Sequence, residues 1–287
     1  MTKEFSWLDL RSAVEHKPEP LDFVIPGLKS GTVGAIVSPG ATGKTMLALQ
    51  AAVSIATGAD LLDFASMGTA WQPATGRVTV LTGEDPRDVL NGRFHTIGRH
   101  LSVEQREAMY ANLGVAPLMG FGPNIMSGQW QNWVSNVTTG TRLVIIDTLR
   151  RFHQLDENDG GDMARVLAYM EQLCRVNGTT VLFLHHTSKA GALGSADAQQ
   201  ASRGSSVLTD NARFQANLVV MGSADAEKWG VDEDCRRSFV RLSFPKINYS
   251  APIADKWYRR TEGGVLLPAV LEKQNKKRKS GRDTATY

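Results

Sequence analysis

The chain contains 287 residues, of which 42% are apolar, and it carries a formal net charge of +3 at pH 7. This length and composition predict one large domain of roughly 250 residues rather than two small ones. The longest apolar stretches are much shorter than the ~20 residues needed to span a bilayer, and the N-terminus lacks the basic and then apolar pattern of a signal peptide. We therefore expect a cytoplasmic protein with no membrane partner.

The first twenty residues form a separate segment. Its apolar side chains are roughly spaced as on one face of a helix: Phe5, Trp7, Leu8, Leu10 and Val14. A Lys-Pro-Glu-Pro sequence follows and predicts a stiff spacer. We expect residues 1–20 to fold back on their own domain or to dock on a neighbouring subunit, and residues 21–271 to form the main domain.

A phosphate-binding loop dominates the next region, residues 31–50. A β-branched apolar run gives way to Ser-Pro-Gly-Ala-Thr-Gly-Lys-Thr, and a helical pattern rich in Ala, Leu and Met follows directly. This pattern is the strand, loop and helix of a P-loop, whose backbone N–H groups and helix N-terminus converge on phosphate oxygens. Ser38 stands where the usual motif has its first glycine. The predicted nucleotide-binding residues are Gly40, Ala41, Thr42, Gly43, Lys44, Thr45 and Met46.

Strands and helices alternate after the P-loop. We predict strands at 77–81, 142–146 and 180–184, and helices at 86–100, after Ser102, at 130–137 and at 162–176. Asp85 is predicted to cap the first of these helices with Pro86 at its first position, and Ser102 and Gln105 have capping-box spacing. The alternation predicts an α/β fold with a mostly parallel sheet covered by helices on both faces.

The character of the sequence changes from residue 213 onward. Strand-like segments occur at 213–220, 238–245, 256–260 and 265–267. They predict antiparallel strands that extend the sheet. Beyond them, residues 272–287 form a basic tail with a local charge of +4, so that the rest of the chain is close to neutral (3 − 4 = −1). A solvated disordered end and a nucleic-acid contact both remain open for this tail.

Polar residues follow the predicted parallel strands at the edge of the sheet where open α/β folds bind ligands. Lys44 is placed to reach the β- and γ-phosphates of ATP, and Thr45 and Asp147 are placed to hold Mg²⁺. Glu84 is placed to activate the attacking water as a general base. For Glu84 the alternative of an ordinary surface residue remains open, because Asp85 beside it competes for any role.

An adjacent pair of histidines ends the strand at 180–184. The side chains of His185 and His186 leave opposite faces of a strand, so only one of them can face the nucleotide. An imidazole there can sense the γ-phosphate and relay its loss to the following loop. A zinc site is not expected, because no third and fourth ligand lies at suitable spacing.

Six stretches of this sequence resemble one known family in order along nearly the whole chain. They are SPGATGKTMLALQ, LTGEDP, LVIIDTLRRFH, FLHH, QQASRGSSVLTDNAR and KINYSAPIADKWYRR. The chain resembles the RepA family of hexameric replicative helicases of broad-host-range (IncQ-type) plasmids, which are RecA-like P-loop ATPases related more distantly to DnaB-type helicases. The resemblance implies a homohexameric ring that hydrolyses ATP with Mg²⁺ and moves 5′ to 3′ on single-stranded DNA. It also implies unwinding during plasmid replication, with replication initiator or primase proteins as partners.

The resemblance assigns roles to residues of this chain. Lys44, Thr45, Glu84 and Asp147 keep the roles given above, and His186 is identified as the γ-phosphate sensor. Arg213 matches an arginine suited to act across the subunit boundary as an arginine finger. Weaker candidates for charges around the same site are Arg93, Lys246 and Arg260. DnaB-type proteins have a Lys-x-Arg pair near Lys246, whereas this chain reads Lys-Ile-Asn.

The loop at 187–206 resembles the DNA-contacting region of the RecA and DnaB groups. Lys189 and Arg203 are its predicted DNA-binding residues, and its small polar side chains suit contact with the phosphate backbone independently of sequence. Two other functions remain open. One is a RecA-like recombination ATPase that forms filaments without unwinding, and the other is a regulatory ATPase with no nucleic-acid partner.

Overall fold

The computed structural model describes residues 6–67, 74–186, 208 and 211–273. The strands in this part of the chain are β1 (Phe23–Ile25), β2 (Leu28–Lys29), β3 (Val33–Ser38), β4 (Val78–Thr82), β5 (Leu113–Pro117), β6 (Leu143–Asp147), β7 (Thr180–His186), β8 (Phe214–Val220), β9 (Phe239–Ile247), β10 (Lys256–Arg260) and β11 (Leu266–Ala269). The α-helices are α1 (Leu10–Glu15), α2 (Lys44–Thr57), α3 (Arg87–Gly98), α4 (Val103–Asn112), α5 (Gly128–Thr138), α6 (Gly160–Asn177) and α7 (Ser223–Trp229).

Nine of the described strands form one sheet in the order β11-β10-β9-β8-β3-β7-β6-β4-β5. The six strands from β8 to β5 run parallel, and β9, β10 and β11 continue the sheet antiparallel. The strand before the P-loop, β3, therefore lies in the middle of the sheet between β7 and β8. The predicted α/β fold with antiparallel strands near the C-terminus is confirmed.

Helices cover both faces of the sheet. One face packs against α2, α3 and α4, and the other packs against α5 and α6. The strand β6 shows why both faces need cover: Leu143 and Ile145 point into the first core, while Val144 and Ile146 point into the second. Near-continuous apolar runs are typical of such central parallel strands.

Helix ends follow local capping chemistry, with one correction. Ser102 and Gln105 form the predicted capping box at the start of α4. The expected cap of α3 is wrong: Pro86 is the capping residue and the helix begins at Arg87. The carboxylate of Asp85 instead pairs with Arg93 at 3.0 Å, because a full opposite charge binds an ionised carboxylate more strongly than neutral backbone N–H groups do.

The described part of the N-terminal segment, residues 6–20, contains one short helix. Helix α1 contains six residues, and none of them is buried. Other expectations concern residues outside the described ranges, namely the loop with Lys189 and Arg203 and the tail beyond residue 273. In the part of the chain that the structure describes, no helix combines the length and apolar character needed to cross a membrane.

Candidate nucleotide-binding site

The P-loop connects the buried end of β3 to the first turn of α2. Gly43 has φ +99° and caps the helix, and Ala41 also lies in the left-handed region at φ +60°. The hydroxyl of Thr42 lies 2.6 Å from Oγ of Ser38, and both side chains are buried. Ser38 therefore occupies its unusual position by closing the loop through a side-chain hydrogen bond, which glycine could not provide.

Lys44 and His186 meet at the centre of the site. The Lys44 ammonium lies 2.9 Å from Nδ1 and 3.2 Å from Nε2 of His186. Burial lowers the pKa of Lys44, while Asp147 and Glu84 oppose that shift. Burial and the Lys44 charge both lower the pKa of His186. The imidazole is therefore neutral at pH 7 and can accept a hydrogen bond from the lysine.

Glu84 lies within reach of three side chains. Its Oε1 accepts a 2.8 Å hydrogen bond from the Thr148 hydroxyl and lies 3.6 Å from Nε2 of His186 and 3.7 Å from Nε of Arg151. Thr148 is 1% exposed and directly follows the last residue of β6. Thr148 and Arg151 were not predicted from the sequence, although both follow Asp147 within four positions.

Asp147 ends β6 as a buried carboxyl. Burial raises its pKa to about 6, a hydrogen bond from Thr45 lowers it, and the nearby Glu84 raises it further. Its Oδ1 atom is buried and has no hydrogen-bond partner among the described residues. A buried carboxylate oxygen beside a threonine hydroxyl fits the oxygen ligands that Mg²⁺ prefers, so these two residues are suited to hold that ion.

The two histidines at the end of β7 face different surroundings, as the strand geometry predicts. His186 lies in the nucleotide site, whereas the ring of His185 is buried and its Nδ1 lies 3.9 Å from Oε1 of Glu157. The same carboxylate oxygen lies 3.8 Å from Nε2 of His153. Burial, followed by the charges of His186 and His153, lowers the pKa of His185 to about 4.

Two further predicted site residues, Arg260 and Arg213, lie at opposite ends of the strands of the sheet. Arg260 donates to the Ala41 carbonyl of its own P-loop at 3.1 Å. Arg213 is exposed and lies just before the start of β8, where Phe214 pairs with Gly34. Since Ser38 is four residues further along β3, Arg213 is more than about 13 Å from the P-loop of its own chain.

Arg213 lies beside the segment that departs from the DnaB-type pair. Asn248 donates its backbone N–H to the Arg213 carbonyl at 3.2 Å, and Lys246 pairs with Gln215 of β8. Arg213, just before β8, and Lys246, on the adjacent strand β9, therefore lie at the same end of the sheet.

The central phosphate-binding loop, with an acidic residue after β4, another that ends β6 and a histidine that ends β7, defines a P-loop nucleoside triphosphatase of RecA-like fold. The family described as AAA domain (AAA_25) matches residues 3–192, and the chain belongs to this family.

Two solved structures are similar to the chain in fold. The ATPase domain of G40P matches with a TM-score of 0.55 and 14% identity over 84% of this chain and 86% of that chain. A DnaB-like replicative helicase, described with its interactions with primase, matches with a TM-score of 0.53 and 15% identity. That match covers 83% of this chain and 57% of that chain.

Proposed function

We propose that the chain is an ATP-dependent DNA helicase motor that works as a homohexameric ring on single-stranded DNA. The observation that carries the proposal is the division of charged residues between two ends of the sheet. Lys44, Glu84, Asp147 and His186 lie together at one end, while Arg213 lies exposed at the other. An arginine that stabilises the transition state from that position must belong to a neighbouring copy of the chain.

Nucleotide binding uses the P-loop, Lys44 and His186, the residue that Lys44 contacts in the nucleotide-free chain. Backbone N–H groups of residues 40–46 receive the phosphates, and Lys44 exchanges His186 for the β- and γ-phosphate oxygens. The neutral imidazole is then free to donate a hydrogen bond to the γ-phosphate. Mg²⁺ held by Thr45 and Asp147 would neutralise charge on the phosphate oxygens.

Hydrolysis requires Glu84 to accept a proton from the attacking water. Its hydrogen bond with Thr148 holds one carboxylate oxygen in place and leaves the other able to act as the base. Arg213 of the neighbouring subunit completes the charge stabilisation. Loss of the γ-phosphate then changes the hydrogen bonding of His186, which directly precedes the DNA-contacting loop at 187–206.

The finer features of this function rest on the family resemblance. They are 5′ to 3′ movement, a role in plasmid replication, and initiator or primase partners. The DnaB-like structure described with primase supports the last of these. The exposed apolar residues Leu10 and Val14 of α1 support docking of residues 1–20 on a neighbouring subunit.

The first test is steady-state ATP hydrolysis with and without single-stranded DNA, with Lys44→Ala as the blank. A DNA-coupled motor shows strong stimulation that disappears in the variant. Hydrolysis that DNA leaves unchanged would favour the regulatory ATPase instead. Electron microscopy separates the remaining alternative, because a recombination ATPase forms filaments and a helicase of this class forms closed rings.

The DNA-contacting loop needs its own test. Lys189→Ala and Arg203→Ala should each reduce DNA stimulation while the basal rate stays unchanged, because they remove phosphate contacts. Arg165→Ala is a matched control, since Arg165 is an exposed cation on α6 whose partner is Asp162. Equal stimulation in all three variants would exclude the loop as the DNA contact.

A further inference from the structure

The C-terminal hairpin β10–β11 lies against the nucleotide-binding loop of the same chain, and the Arg260 side chain makes a polar contact with that loop. Arg260 ends β10, and its Nη1 donates to the Ala41 carbonyl at 3.1 Å while its Nη2 donates to the Arg237 carbonyl. Its Cδ lies 3.7 Å from the point that a Cβ on Gly43 would occupy. The guanidinium and its stem therefore lie along one side of the loop and bind its backbone.

The hairpin is itself fixed to the helix that follows the loop. Arg260 pairs with Leu266 across the hairpin. The Gln50 side chain in α2 donates to the Leu266 carbonyl at 2.9 Å and accepts from the Leu266 N–H at 2.8 Å. Both residues are buried. The contacts thus form a closed circuit. It runs from the loop into α2, from Gln50 of α2 to β11, from β11 to Arg260, and from Arg260 back to Ala41.

We propose that Arg260 is a positioning residue for ATP, a role that rests on the proposed function. Ala41 has φ +60°, a conformation that an L-residue keeps only when its surroundings hold it. In a trans peptide the C=O and the next N–H point in opposite directions. Arg260 holds the Ala41 carbonyl toward its own guanidinium. The Thr42 N–H of the same peptide group therefore points away from Arg260, in an orientation that lets it donate to phosphate oxygens.

The contact also demands arginine in particular. One planar guanidinium reaches two carbonyl groups on different segments, which a single ammonium on a flexible stem cannot do with the same geometry. The neighbouring Arg259 makes a useful comparison. It is exposed, its guanidinium lies 5.9 Å from the ring centre of Phe239, and it pairs with Leu267 rather than Leu266.

The first experiment measures the affinity of the full chain for a fluorescent ADP analogue with Mg²⁺, together with kcat and KM for ATP. Arg260→Met should weaken affinity about tenfold and raise KM with little change in kcat, because the contact acts equally in the ground and transition states. Arg260→Lys should fall between this variant and the unmodified chain, and Arg259→Met should match the unmodified chain. Unchanged affinity with a large loss of kcat in Arg260→Met would overturn the proposal.

The second experiment needs no nucleotide. Backbone amides of residues 40–45 should exchange hydrogen about tenfold faster in nucleotide-free Arg260→Met, with amides of β6 unchanged. Equal exchange in the loop would also overturn the proposal. If Arg260→Met does not fold, the same two measurements on Arg260→Lys, nucleotide affinity and hydrogen exchange of residues 40–45, test the proposal instead. A chain that binds no nucleotide would refute the proposed function, while the exchange rates would still show whether Arg260 orders the loop.

Discussion

Replacing Asp147 with asparagine should stabilise the nucleotide-free protein at neutral pH while removing hydrolysis. The carboxyl is 2% exposed, and burial raises its pKa from 3.8 to about 6. A group whose folded pKa lies above its unfolded value loses stability when it ionises, so the free energy of unfolding falls as pH rises from about 4 to about 6. Asparagine has nearly the same shape and does not ionise.

The size of the effect follows from the two pKa values. Their difference, 6 − 3.8 = 2.2, corresponds to about 3 kcal/mol at neutral pH. Part of this gain is lost, because Asp147 is the main charge that opposes the lowered pKa of Lys44. We therefore expect a net stabilisation of about 1–2 kcal/mol, and a domain of this size gains about 2–4 °C in Tm per kcal/mol.

Urea unfolding in EDTA at pH 8 and pH 4 checks this expectation. The Asp147→Asn variant should be more stable than the unmodified chain at pH 8, and most of the difference should disappear at pH 4. Asp22→Asn is the control of opposite sign, because a hydrogen bond from Arg142 lowers the pKa of Asp22 and its stabilisation is lost as pH falls. A less stable Asp147→Asn at pH 8, or the same shift at both pH values, would refute the reasoning.

Three other predictions test the site. Thr148→Val should lower kcat about tenfold with little change in KM, and Thr148→Ser should restore most of it; a raised KM alone would argue against positioning of Glu84. Arg213→Ala should keep nucleotide affinity and lose at least about 100-fold in turnover. Mixing Arg213→Ala chains with Lys44→Ala chains should recover part of the activity, because an intact nucleotide site of one variant can then meet the intact Arg213 of the other. No recovery would exclude action of Arg213 between subunits. Ser38→Gly should cost about 1 kcal/mol of stability through the lost hydrogen bond to Thr42, and unchanged stability in urea unfolding would contradict this expectation.

The sequence predicted the central strands because their apolar residues are continuous. The strands β4, β6 and β7 are buried on both faces, so each contains a mostly apolar run that is followed by a polar residue, and Thr79 of β4 is the one polar residue inside such a run. The edge strand β5, Leu-Gly-Val-Ala-Pro, was not predicted. It contains glycine and proline, and its residues are exposed or partly buried, so it carries no run of buried side chains.

The candidate site was predictable only where it depends on position along single strands. Asp147 and His186 end adjacent parallel strands, Glu84 lies two residues beyond β4, and Lys44 follows β3 across the P-loop. The topology therefore brings these residues together. The contact between Arg260 and Ala41 joins residues 219 positions apart. No local pattern encodes which side chain of a distant hairpin reaches a loop, because that depends on how the antiparallel strands pack against α2.

The central place of β3 has a consequence for synthesis of the protein. Its partners, β7 and β8, begin at Thr180 and Phe214, so the strand before the P-loop has no neighbour in the sheet until about 150 more residues have been made. At ~5–20 residues per second this delay lasts roughly 10–30 s. During that time an apolar strand and the apolar helix α2 are present on the nascent chain without their core. We therefore expect β3 and α2 to bind chaperones during translation, and the P-loop to become able to bind nucleotide only after the C-terminal hairpin leaves the ribosome.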